Sequence, residues 1–171
     1  MEKQNVTVGV FKSHEAAEEG VKDLQKSGFD MTKLSIIGKD YHTEEHVIGF
    51  YNTGDRVKAW GKLGAFWGGF FGLLFGSAFL VIPVLGHVIV FGPLVSWMIS
   101  ALEGAVVAGG FSALGGALYS VGIPKESVVK YENAVKASQF VVIAHGTIDE
   151  VNSARVILDN AKADEVAVHY A

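Results

Sequence analysis

Two histidines four residues apart, His42 and His46, enclose Thr43, Glu44 and Glu45, and so match the H-x-x-E-H pattern of one class of zinc peptidase. Residues at i and i+4 share a helical face, so both imidazoles could hold one metal ion. A zinc site needs further ligands. None is evident nearby, and the segment reads as a polar connection, so a solvated loop or helical turn is expected, with no metal and no cofactor. Glu103 is the second candidate, as the lone charge between Lys62 and Lys125. An ionised carboxylate in an apolar setting costs several kcal/mol, so it must be protonated, paired or turned to water. It could serve a proton or ion pathway; a carboxyl hydrogen-bonded between copies, or one at a water-facing helix end, is the favoured expectation. His14, His145 and His169 are scattered, and the last two are expected at strand edges. There is no cysteine, which removes thiol chemistry and disulfides. No nucleophile elbow, Walker loop or dinucleotide glycine motif occurs. The expectation is a protein that is not an enzyme.

What must position these residues is an uneven chain. Of 171 residues, half are apolar, 19% are charged and the net charge is −4. That is too apolar for disorder, and no basic cluster interleaved with aromatics suggests nucleic acid. All charges but Glu103 lie in residues 1–62 and 125–171. A polar domain split by an apolar insert is the simplest reading, divided as 1–40, 41–62, 63–122 and 123–171. The first residues have no apolar stretch behind a basic start, so no signal peptide is expected and the polar part is placed in the cytoplasm.

The polar halves share one grammar. Val6–Phe11 is short, β-branched and alternating, which predicts a strand. Ser13 is a candidate N-cap, Ala17, Val21 and Leu24 make one helical stripe, and Gly28 suits the position after the helix. Leu34–Gly38 predicts a second strand. Near the other end, Phe140–Ala144 predicts a strand, Thr147 and Glu150 a capping box, and Val151, Ala154, Leu158 and Ala161 a helix stripe. Val166–Tyr170 predicts the last strand. Two β-α-β units make the expected fold class α+β, a ferredoxin-like sandwich of four antiparallel strands with two helices on one face. An extra helix is expected from Pro124 to about Ala137, with Val128, Tyr131 and Val135 inward.

The insert begins with forty residues, Leu63 to Leu102, free of Asp, Glu, Lys and Arg. Gly64, Gly68, Gly72 and Gly76 recur every four residues and would form a bare ridge on a helix. Phe66, Trp67, Phe70, Phe71, Leu74 and Phe75 would lie on its other faces. Such glycine density costs about 1 kcal/mol per residue against Ala in water, and close helix contact is the usual compensation. Leu63–Ile82 as a helix would be about 30 Å long, the thickness of a hydrocarbon core. After Pro93, one row of Ala101, Ala105, Gly109, Ala113 and Ala117 lies beside a row of Gly104, Ala108, Ser112 and Gly116. The two arms are expected to form an antiparallel glycine-zipper hairpin. The turn between them, Pro83 to Pro93, carries one polar side chain, His87. Arg56, Lys58, Lys62 and Lys125 flank entry and exit, which suits the cytoplasmic face of a membrane.

Three stretches also point to a family. They are Val8-Gly9-Val10-Phe11-Lys12-Ser13-His14-Glu15-Ala16-Ala17, then Gly122-Ile123-Pro124 followed by Tyr131–Ala137, and Phe140–Gly146. In these the chain resembles bacterial general stress proteins, in which a heat-induced-stress-type α+β domain surrounds a glycine-rich apolar segment. The resemblance implies a stress-linked role and carries over no catalytic residue.

The functional expectation is a membrane-associated, stress-linked protein that binds lipid and copies of itself through the hairpin. The alternatives are a soluble homo-oligomer that buries its hairpins mutually, and a proton or ion pathway through Glu103.

Overall fold

The computed structural model describes residues 3–39, 49–50, 80–82, 88–103 and 113–171. The run Val-Thr-Val-Gly-Val-Phe builds strand β1 (Asn5–Phe11). Helix α1 (His14–Lys26) opens on Ser13, whose side chain accepts the Ala16 N–H. It closes where Gly28, at φ +87°, lets the Gly28 and Phe29 N–H groups donate back to the Gln25 and Leu24 carbonyls. A 3-10 turn (Met31–Lys33) leads into β2 (Leu34–Lys39). Three short strands follow: β3 (Gly49–Phe50), β4 (Leu80–Ile82) and β5 (Val88–Phe91). Helices α2 (Leu94–Glu103), α3 (Ala113–Val121) and α4 (Lys125–Lys136) come next, then β6 (Phe140–Gly146), α5 (Ile148–Asn160) and β7 (Glu165–His169). The Thr147–Glu150 capping box is formed at the start of α5.

The strands make one sheet in the order β3-β4-β5-β2-β6-β1-β7, with every neighbouring pair antiparallel. Within it, the four strands expected from the polar halves stand together as β2-β6-β1-β7. The two β-α-β units interlock: β6 lies between β1 and β2, and β1 lies between β6 and β7.

Strand alternation sorts the side chains into two cores. On one face Phe11, Leu34, Ile36, Phe140, Val142 and Ala144 pack with Ala17, Val21 and Leu24 of α1 and Ala154 and Leu158 of α5. On the other, Val6, Val8, Val10, Ile37, Val141 and Ile143 pack with α2 (Leu94, Val95, Met98), α3 (Leu114, Ala117, Leu118) and α4 (Val128, Tyr131, Val135). The expected sandwich with helices on one face is therefore corrected to helices on both.

The insert departs further from expectation. Leu80–Ile82, placed at the end of a first helical arm, is strand β4. The apolar turn from Pro83 to Pro93 holds strand β5, which pairs with β2. Leu-Val-Ile and Val-Ile-Val-Phe are strand-forming sequences, and periodicity alone cannot distinguish a short apolar strand from a helix segment. The second arm is not one rod. A straight helix would set Leu94 and Val121 about 40 Å apart, whereas α2 and α3 pack against each other. Their apolar sides close the chain's own core.

Candidate functional site

Ser35 lies on the Ile37 side of β2, and His145 on the Val141 and Ile143 side of β6, so both polar side chains point into the core beneath α2. The β2–β6 register sets Ser35 opposite Ile143, which makes His145 its diagonal neighbour. Ser35 Oγ and His145 Nε2 are 2.8 Å apart, and His145 Nδ1 is 3.2 Å from Gln4 Oε1. The Leu94 N–H, at the first turn of α2, donates to Ser35 Oγ across 3.0 Å. The amide oxygen of Gln4 can only accept, so Nδ1 carries the proton and Nε2 accepts from the Ser35 hydroxyl. The chain of bonds runs Leu94 N–H to Ser35 O–H to His145, and His145 N–H to Gln4.

This arrangement satisfies an N-terminal donor that α2 would otherwise bury without a partner. Its connectivity is that of a nucleophile, a base and an orienting group. Its environment is not that of a working base. Ser35 is 0% exposed and His145 3%. Burial pushes the imidazole down from its ordinary value of 6.5 to about 4. A base that weak gives little drive for proton abstraction near neutral pH. Neutral Gln4 also adds no negative charge to stabilise an imidazolium. What the group does chemically is hold α2 to β2, β6 and the segment before β1.

A second polar pair lies at the sheet edge. The Tyr131 hydroxyl on α4 and His169 Nε2 on β7 are 2.8 Å apart. Burial, then Glu165, pushes the phenol up. Burial, then Lys130, pushes His169 down against the opposing effect of Glu165. Lys130 and Glu165 form an ion pair on the same face. Beside them Val10, Asn133, Ala134, Gln139 and Asp164 complete a shallow groove.

His145 is thus corrected from an edge residue to a buried residue of a central strand, while His169 does lie on an edge strand. The residues singled out for helix packing and chemistry are not gathered into one place. Gly116 is buried within α3, Ala113 is its first residue, Ala101 lies in α2, and Glu103 is the last residue of α2. Gly64, Gly68, Gly72, Gly76, Ala105, Gly109, His42 and His46 lie outside the described residues. Among the described residues, no group of three or more His, Asp and Glu could hold a metal ion. Sequence reasoning missed Ser35 and Gln4. The available signal was a polar residue at an inward-alternating position in each of two strands.

No curated protein and no solved structure matches the chain. Residues 6–80 match the family model of the heat induced stress protein YflT domain, and in that segment the chain is similar to the bacterial general stress proteins.

Proposed function

We propose that this is a non-enzymatic, stress-associated protein that assembles with copies of itself through the ridge Gly64, Gly68, Gly72 and Gly76. The family match supports the link to stress. The assembly reading is carried by one observation: the β2-β6-β1-β7 unit has helices packed on both faces. The sequence around the ridge carries Phe66, Trp67, Phe70, Phe71 and Phe75, and a matching ridge from another copy would shelter such a stretch. The strand order of the unit, second-third-first-fourth, supports a ferredoxin-like arrangement. The burial of Ser35 and His145 supports the non-enzymatic part.

Lipid attachment, with the α+β part on the cytoplasmic side, is the second reading. Among the described residues no helix is long and apolar enough to cross a membrane. With α2 and α3 turned into the core, lipid contact rests on the aromatic stretch before β4. A proton path through Glu103 comes last, since that residue ends α2. Gly68→Leu with Gly72→Leu is the test. The double variant is expected to lose the large assembly on sizing while keeping its circular dichroism, and an unchanged oligomer in cross-linking would count against the proposal. Pelleting membranes separates the two settings: a lipid-bound chain sediments, and a self-buried one stays in the supernatant.

A further inference from the structure

The two edges of the sheet differ. At one end β3 is two residues long, too short to template another strand. At the other, β7 runs for five residues, all half-buried, with β1 on its inner side and no strand on its outer side among the described residues. It has no Lys, no Pro and no bulge, the usual guards of an open edge. Its sequence, Glu165-Val166-Ala167-Val168-His169, reads the same about Ala167 in its apolar part and ends in an acid on one side and an imidazole on the other.

We propose that β7 pairs antiparallel with β7 of a second copy, with Ala167 on the two-fold axis. Val166 then lies opposite Val168 of the second copy, and Glu165 opposite its His169, each contact made twice by symmetry. Pairing with β1 puts Glu165, Ala167 and His169 on the Val6, Val8 and Val10 face, so the acid and the imidazole meet on one side of the joined sheet. The valines meet on the other. Parallel pairing in register would set acid on acid and imidazole on imidazole. Moving the axis to Val166 would set Glu165 against Ala167 and lose both acid–imidazole contacts. Only the Ala167 register uses the whole strand and sets the Glu165 carboxylate beside the neutral His169 ring at both ends, where it can accept from the ring N–H while Tyr131 and Lys130 keep their own contacts to the pair. Tyr170 and Ile148, each more than half exposed, add apolar surface: the Tyr170 hydroxyl donates to Asn152 in the first turns of α5, the helix that Ile148 begins. This contact does not use the glycine ridge, so either proposal can fail alone.

The chain has no cysteine, which makes a register test direct. Ala167→Cys in the full chain places two thiols on directly opposed residues, with Cα atoms about 4.5–5.5 Å apart, inside disulfide range. Mild oxidation is expected to shift it to twice the chain mass. Glu165→Cys alone places its thiols about 13 Å apart and is expected to stay single. Glu165→Cys combined with His169→Cys is expected to restore the dimer. The same pattern is expected in the Gly68→Leu, Gly72→Leu background, which separates this contact from the ridge. The unmodified strand in that background should run as a dimer, and Ala167→Lys, which sets two like charges on the axis, as a monomer. A single-mass Ala167→Cys protein, equal cross-linking by Glu165→Cys alone, or a monomeric unmodified strand in the ridge-disrupted background would overturn the proposal.

Discussion

Acid should loosen this fold through His145 before it touches the carboxylates. The imidazole is sealed beneath α2 and held neutral by that burial, with Ser35 and Gln4 as its hydrogen-bond partners. Its folded pKa, about 4, lies below the ordinary 6.5. For a base whose pKa falls on folding, the contribution to stability is complete above the unfolded value and is lost as pH drops toward the folded one. Each unit in that window withdraws 1.36 kcal/mol, so lowering the pH from about 7 to about 5 should remove about 2 kcal/mol. Glu15, Asp30 and Glu150 act in the same direction lower down. A backbone hydrogen bond at Glu15, the Thr32 hydroxyl at Asp30 and the Lys33 ammonium at Glu150 hold these carboxyls below their usual range. Their contributions are lost only beneath it. His169 titrates in the upper window as well, so the variant carries the test. His145→Gln keeps an acceptor for Ser35 and a donor for Gln4 but cannot titrate. It should cost about 1–2 kcal/mol at neutral pH and then lose about 2 kcal/mol less than the parent on acidification. Urea titrations at both pH values, read by tryptophan fluorescence and far-UV circular dichroism, measure the difference. Equal acid losses in the two proteins would refute the sealed-imidazole reasoning.

Two further outcomes follow from backbone geometry. Gly92, at φ +90°, sits where an added Cβ would lie 2.1 Å from the Leu34 carbonyl oxygen; Gly92→Ala should cost about 3 kcal/mol or more, and a melting temperature within a degree or two of the parent would contradict it. Lys162 closes α5 from the left-handed region at φ +62°; Lys162→Gly should add about 0.5–1 kcal/mol, and a lowered melting temperature would contradict that.

Much of the polar domain was legible because its elements announce themselves locally. Ser13, Gly28, Pro124 and the Thr147–Glu150 pair mark helix ends by backbone chemistry, and the alternating Val6–Phe11 and Phe140–Ala144 runs mark strands by period. The insert was misread where local signals compete. The spacing of Gly64 to Gly76 suggests a helix that would run on through Leu80–Ile82, yet three apolar residues there pair with β5 because a sheet edge is available. That edge exists only after β2 and β6 have met, which is tertiary information. The same holds for α2 and α3: the rows of small residues read as one long arm, whereas the chain turns back so that α2 packs on α3. The Ser35–His145 contact depends on strand register, so its two halves, 110 residues apart, could not be paired from the sequence, and His145 was expected at a strand edge.

The interlocked strand order also governs how this polypeptide emerges from the ribosome. β1 has both of its partners, β6 and β7, near the far terminus, and β2 reaches β1 only through β6. At translation rates of about 5–20 residues per second, β1 waits on the order of ten seconds for its first neighbour. During that interval the charge-free run from Leu63 to Leu102 is synthesised as well. A message truncated ahead of Phe140 therefore leaves β1 without either of its sheet neighbours and β2 with β5 alone.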